Sequence, residues 1–111
     1  MLIETESLRI SPTTCLFEGG SSGGVQLSIF QVDYPPGAGV RLHVHPDPEV
    51  FVIESGEATF YVDGREIKAV AGQILVAPAN TPHWFTNTGP SRLRAVNVLP
   101  RDTVITTWFE D

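Results

Sequence analysis

The stretch GAGVRLHVHPDPEVFVIESG, residues 37–56, decides how this chain is read. It places His43, His45 and Glu49 within seven residues. Successive side chains of an extended strand alternate faces, so His43 and His45 point the same way. Pro46 and Pro48 then disfavour a helix and impose a turn or a kinked extended path. Glu49 follows and opens a second apolar run, Val50 to Ile53. Two imidazoles on one strand face, with a carboxylate brought round by a turn, make half of a compact metal site.

The chain has three histidines. The one outside this stretch is His83, in GQILVAPANTPHWFTN, residues 72–87. The spacing is regular in both segments. Five residues lie between Gly37 and His43, one between His43 and His45, three before Glu49 and six before Gly56. Then five lie between Gly72 and Pro78, one before Asn80, two before His83 and three before Asn87. This pattern resembles the paired motifs of the cupin family, which together span 36 of the 111 residues. The interval of fifteen residues from Gly56 to Gly72 is near the short end for that family. One position departs: the family usually has Gly where this chain has Asn80. Asn is the next best residue for a left-handed turn, so the departure is mild. The resemblance implies an all-β fold, a double-stranded β-helix or jelly-roll barrel. It also implies a divalent metal held by His43, His45, Glu49 and His83.

Composition agrees with a small β fold. A chain of 111 residues is expected to form one domain, residues 1–111. Nine prolines and ten glycines suit short strands and many turns. The net charge of −6, with no Lys/Arg cluster, argues against nucleic acid and anionic membrane as partners. Cys15 is the single cysteine, so no intrachain disulfide forms and a reducing compartment is the default. MLIETESLRI lacks a basic region followed by an apolar stretch, and no apolar run approaches the ~20 residues of a membrane span. A cytoplasmic protein is expected.

Period-two alternation recurs along the chain. Residues 1–18 read as one or two edge strands, with Leu8 and Ile10 on one face. Gly19 to Gly24 reads as a surface connector, or as a lid over a pocket. Val25 to Tyr34, Arg41 to His45, Glu49 to Glu54 and Ala58 to Val62 read as strands. Asp63-Gly64 is a two-residue hairpin signal, and Arg65 to Val70 returns. Gln73 to Ala77 reads as a short buried strand. His83, Phe85 and Asn87 share a strand face, with Trp84 and Thr86 opposite. Arg92 to Leu99 alternates again, and Thr103 to Phe109 is a last β-branched and aromatic run. Short strands at near-regular spacing fit a β-sandwich or barrel.

Nitrogen and oxygen donors without thiolate suit iron, manganese, nickel, cobalt, copper or zinc, one ion per chain. Three His and one Glu fill four positions of an octahedron and leave two for water, substrate or dioxygen, unlike a closed structural zinc. By parity, Arg41, Phe51, Ile53, Phe60, Phe85 and Asn97 line the pocket around the metal. Arg41 is read either as a bidentate anchor for a substrate carboxylate or as a surface arginine at the barrel mouth. Asp47, between two prolines, is expected to be solvated rather than a ligand. Asn87 is expected to fix the turn after its strand.

Fold alone does not choose a chemistry. The resemblance implies a metal-dependent enzyme acting on a small organic acid or carbonyl compound, as a dioxygenase or as an isomerase or lyase. Glu49 then serves as a catalytic base. The alternative is a non-catalytic module that binds a small molecule or a metal. A homodimer is expected, with Val104 to Phe109, including Trp108, on or near its interface.

Overall fold

The computed structural model describes residues 1–109. A short 3-10 turn, Thr5–Leu8, precedes the strands β1 (Arg9–Ser11), β2 (Thr14–Glu18), β3 (Ser28–Tyr34), β4 (Gly39–Val44), β5 (Glu49–Ser55) and β6 (Glu57–Val62). These are followed by β7 (Arg65–Val70), β8 (Ile74–Ala77), β9 (His83–Thr86), β10 (Leu93–Leu99) and β11 (Thr107–Trp108). They form two antiparallel sheets, a six-stranded one in the order β1-β2-β3-β10-β5-β8 and a five-stranded one in the order β11-β4-β9-β6-β7. From β4 onward the chain passes back and forth between the sheets, which makes a jelly-roll barrel as the sequence leads one to expect. Among the described residues, no helix is long and apolar enough to cross a membrane.

The alternation decides what fills the barrel. On β5 the buried positions are Glu49, Phe51 and Ile53, and on β10 they are Leu93, Ala95, Asn97 and Leu99. Phe51 meets Phe60 of β6 edge-on at 4.9 Å and Phe85 of β9 at 5.8 Å between ring centroids. Burying each such side chain contributes about 1.5–3 kcal/mol. The Asp63-Gly64 hairpin forms as read, with both residues at positive φ and Val62 paired to Arg65.

Four segments differ from the sequence reading. Leu8 lies in the 3-10 turn rather than on a strand with Ile10. The strand read from Val25 begins at Ser28, because the segment before it folds onto the glycine-rich loop: Gly19 N–H donates to the Leu27 carbonyl and Val25 N–H to that of Gly19. That loop is also tied to Asp102 through the Gly20 N–H. β8 alternates, with Leu75 and Ala77 buried, so Ile74 and Val76 are exposed rather than buried. Of Thr103 to Phe109, Thr107 and Trp108 alone pair as strand.

Asn80 stands at φ 58°, the left-handed region, and its N–H donates to the His45 carbonyl at 2.8 Å. The turn that replaces the family glycine therefore also ties down a histidine loop. Asn80→Gly is expected to leave stability within about 0.5 kcal/mol. Asn80→Ala costs about 1–2 kcal/mol, because a Cβ without a compensating polar group is strained there. Urea denaturation of both variants checks the difference.

Candidate metal centre

The site is assembled across the two sheets. His43 on β4 lies directly opposite His83 on β9 in the five-stranded sheet. The chain leaves β4 after Val44, and Pro46-Asp47-Pro48 carries it over to the six-stranded sheet, where Glu49 opens β5. Asp47 accepts a hydrogen bond from the Arg101 Nε at 2.5 Å. Its carboxylate holds the crossover in place and is not a member of the donor cluster. His43, His45, Glu49 and His83 are each 1–4% exposed. One donor atom from each lies within 4.8 Å of the others.

Three backbone carbonyls set the imidazole tautomers. The Nδ1 atoms of His43, His45 and His83 lie 2.7, 2.9 and 2.8 Å from the carbonyl oxygens of Arg41, Ile105 and Thr81. A carbonyl only accepts, so each Nδ1 carries a proton, and in the neutral ring each Nε2 presents a lone pair. Glu49 Oε1 sits 3.1 Å from His45 Nε2 and 3.2 Å from His83 Nε2. Three lone pairs and a carboxylate converging in a buried space repel one another unless a proton or a cation lies between them. Donors about 2.1 Å from one ion lie about 3 Å apart when adjacent, which is the spacing of both Glu49 contacts. The residues fit one divalent ion, and their nitrogen and oxygen donors suit a first-row metal.

Without an ion the electrostatics are divided. Burial, reinforced by the neighbouring imidazoles and opposed by the Arg41 carbonyl, lowers the His43 pKa to about 4. For His45, burial works against the charged form, but the Glu49 carboxylate and the Ile105 carbonyl outweigh it and raise the pKa. Burial pushes the Glu49 carboxyl up, while the His45 and His83 imidazoles pull it further down, so the net shift is downward. Near neutral pH Glu49 is ionised and His43 is neutral, the states that metal ligation requires.

A cavity of about 190 Å³ opens against three members of this quartet, His43, His45 and Glu49. Phe85 and Asn97 line it, as their parity leads one to expect. Phe51, Ile53 and Phe60 do not; they are 1–2% exposed and belong to the core behind the site. Strand parity fixes which face a residue occupies but not its height in the barrel. Arg41 is also absent from the lining. The β4–β9 register shifts between Val40 and His43, so that Val40 pairs with Phe85 and His43 with His83. This bulge inserts one residue into β4 and reverses its parity. Val40 therefore faces the cavity and Arg41 is exposed. The Arg41 guanidinium lies 4.6 Å from the centroid of the Trp108 ring, and its Nη1 donates to the Phe109 carbonyl.

Several residues of the site escape the sequence reading. Trp108, expected near a dimer interface, lies 5.1 Å from the His43 ring and lines the cavity, while 47% exposed. The Ile105 carbonyl and the Thr106 hydroxyl, 3.3 Å from His45 Nδ1, come from the same C-terminal segment. Phe30, Val32 and Tyr34 on β3 complete the wall, and their shared parity was visible in the sequence. Asn87 holds the turn, its Nδ2 donating to the carbonyls of Tyr34 and Ser91. Trp84 stacks on Tyr61 away from the cavity. Asn97 Oδ1 is buried without a hydrogen-bond partner.

His45→Ala and His83→Ala are each expected to weaken zinc or manganese binding by more than about a hundredfold, since losing an outer partner alone costs about ten- to a hundredfold. Ending the chain at Thr103 removes the Ile105 carbonyl and is expected to fall within that smaller range. Acid acts in the same direction. The raised pKa makes His45 compete for a proton more readily than His43, so occupancy is expected to fall as the pH is lowered from neutral. Metal content after equilibrium dialysis measures all three; full occupancy in both alanine variants would remove the assignment.

A family model described as the cupin domain matches residues 30–99. An acireductone dioxygenase of Leptospira biflexa is 42% identical over 60 residues, 50% of this chain and 34% of that protein. An oxalate-binding protein of Thermotoga maritima is 32% identical over 66 residues, 59% of this chain and 54% of that protein. This chain thus spans about a third to about half the length of these relatives. Among solved structures, an oxalate decarboxylase of Lactobacillus farciminis superposes with a TM-score of 0.85 at 19% identity, over 96% of this chain and 35% of that one. That likeness concerns the fold. Together with the two motifs and the buried His/Glu quartet, the family match makes this chain a member of the cupin family.

Proposed function

We propose that this cupin is a metal-dependent enzyme acting on a small organic acid or carbonyl compound, by dioxygenase chemistry or by isomerase or lyase chemistry. The observation that carries the reading is the convergence of four buried donors, three of which, His43, His45 and Glu49, line a largely apolar cavity sized for a small molecule. His43, His45, Glu49 and His83 would hold one ion of iron, manganese, nickel, cobalt, copper or zinc. Bound there, such an ion supplies a Lewis acid for a carbonyl or carboxyl oxygen and, if redox-active, a means of activating dioxygen.

The chain's own residues divide the remaining work. Glu49 is the one carboxylate lining the cavity among the described residues, and its lowered pKa keeps it ionised near neutral pH. It is the residue suited to take a proton from the substrate. Phe85, Val32 and Val40 exclude bulk water and strengthen electrostatic interactions inside the cavity. Similarity to the acireductone dioxygenase favours the oxygenase branch. Similarity to the oxalate-binding protein favours a second reading, a module that binds a small molecule without turning it over.

Protein loaded separately with iron, manganese, nickel and zinc, and screened against small acids and enolisable ketones with oxygen uptake followed in parallel, separates these branches. Oxygen consumption coupled to substrate loss is the expected result for the iron or nickel form. Turnover without oxygen selects the isomerase or lyase branch. Binding without turnover in every metal form removes the enzyme reading in favour of the module.

A homodimer belongs to the same proposal, with a changed location. Trp108 is engaged at the cavity mouth, whereas Ile67, Ile74 and Val76 are exposed and border one shallow cleft between β7 and β8. This apolar edge is the better candidate interface. Light scattering at micromolar concentration is expected to give twice the chain mass, and Ile74→Glu to return it to that of a monomer.

A further inference from the structure

His43, His45 and Glu49 line the cavity yet are 3–4% exposed, so an ion or ligand has to be let in to reach them. The exposed members of the cavity lining mark the mouth. They are Ile10 on β1 and Trp108 on β11. β1 is an outer edge of the six-stranded sheet and β11 an outer edge of the five-stranded sheet. The mouth therefore lies between two sheet edges, and displacing either one widens it.

The two lips are held differently. β1 is joined to β2 by the Pro12-Thr13 turn, and the Arg9 side chain donates to the Ser11 and Pro12 carbonyls. β11 pairs through two residues, Thr107 with Val44 and Trp108 with His43. Ile105, Trp108 and Phe109 are 39–47% exposed, so packing holds them only in part. Few buried apolar contacts and exposed backbone hydrogen bonds are the marks of a segment with low local stability. The chain just before it is firmly anchored. Ser28 Oγ donates to the Arg101 carbonyl, and Glu18 Oε2 accepts from the Thr103 hydroxyl at 2.7 Å and from the Val104 N–H at 2.8 Å. A fixed base followed by a weakly held tip places a hinge after Val104. One side chain then fastens the tip from outside. The Arg41 guanidinium lies over the Trp108 ring and donates to the Phe109 carbonyl.

We propose that residues 105–109 form a strap hinged after Val104, that Arg41 latches it shut through Trp108 and the Phe109 carbonyl, and that its opening admits metal and ligand to the buried donors. The strap goes beyond the metal-dependent reading given above; the entry of metal rests on that reading. Arg41 is a positioning residue, since its guanidinium acts through Trp108 and Phe109. In the closed arrangement the Ile105 carbonyl accepts from His45 Nδ1 and Trp108 walls the cavity. Opening therefore uncovers the cavity and releases His45 in one movement. A latch outside the cavity sets how often the strap opens, not how well the closed site binds. As long as the closed form predominates, weakening the latch speeds entry and exit equally and leaves affinity nearly unchanged. Damage to the structure of the site does the reverse and weakens affinity.

The test uses the full chain and Arg41→Met, which keeps much of the aliphatic stem and removes the guanidinium. It also keeps the residue 41 carbonyl that accepts from His43 Nδ1. Hydrogen exchange followed by mass spectrometry on the metal-free protein comes first. In the wild type, residues 105–109 are expected to exchange faster than β3 and β10. In Arg41→Met they exchange about fivefold faster again, while β3 and β10 are unchanged. Stopped-flow zinc uptake and release, read with a zinc-sensitive dye, are both expected to accelerate about fivefold in Arg41→Met, with Kd within about twofold of the wild type. Arg41→Lys, which retains a cation for Trp108, is expected to fall between the two. Protection of residues 105–109 equal to that of β10 overturns the proposal on wild-type protein alone, whether or not a variant folds. Faster exchange throughout the barrel in Arg41→Met, no change at residues 105–109, or a weakened Kd without faster uptake also overturns it. An absence of zinc binding defeats the metal-dependent reading and metal entry with it, whereas the exchange measurement on metal-free protein decides the strap by itself.

Discussion

Three imidazole lone pairs and one carboxylate pointed at a common buried point are the constraint on which the rest of this barrel depends. Removing an ion from water costs several kcal/mol even after relaxation, and Glu49 is almost fully buried. Its two close contacts are to Nε2 atoms whose tautomers offer lone pairs rather than protons. Such a cluster is unfavourable when empty and becomes favourable when a proton or a cation enters. The opposed pKa directions at His43 and His45 reflect this tension in the metal-free protein. A divalent ion held there would relieve it at every member of the cluster, and its binding free energy would then also be folding free energy.

The turns exist to hold that cluster. His43 and His83 sit on paired strands of one sheet, and Glu49 opens a strand of the other. The Pro46-Asp47-Pro48 crossover and the Asn80 turn are joined by the hydrogen bond from Asn80 N–H to the His45 carbonyl. Gly56, at φ 84°, lets the chain turn from β5 into β6 where a Cβ would meet the Arg92 carbonyl oxygen at 2.4 Å. The motif glycine is thus required both for its backbone conformation and for the close approach of β10.

Much of this was legible in the sequence, and the failures have distinct physical causes. The quartet was readable because its members fall at fixed spacing in two turn-bounded segments. Phe85 and Asn97 were readable from parity alone. Arg41 was misread because Val40, Leu42 and Val44 alternate as though β4 were regular, and nothing in that apolar pattern marks a bulge. The structure places Val40 on the same side as His43 despite their odd separation. Phe51 and Phe60 were given the correct face and the wrong depth, since period two carries no information about position along the barrel axis. Trp108 depended on a long-range pairing, Trp108 with His43, between a two-residue strand and a segment far away in the chain.

That last pairing gives the C-terminal segment a role the ligand motifs do not contain. Ile105 supplies the carbonyl that fixes the His45 tautomer, Trp108 lies beside the His43 ring, and Arg41 bridges Trp108 and the Phe109 carbonyl. The same few residues therefore orient a metal donor and form part of the cavity mouth. Equilibria that share a structural element are linked, and linkage between binding events is reciprocal. Contacts that hold residues 105–109 in place would raise the quartet's affinity for a metal by presenting the His45 lone pair, and a bound metal would in turn favour that placement through the same imidazole. A ligand that packs against Trp108 stabilises that arrangement too. In this barrel the strand pairing that closes the five-stranded sheet at β11, the hydrogen bond to His45 and the mouth of the cavity all depend on one short segment, residues 105–108.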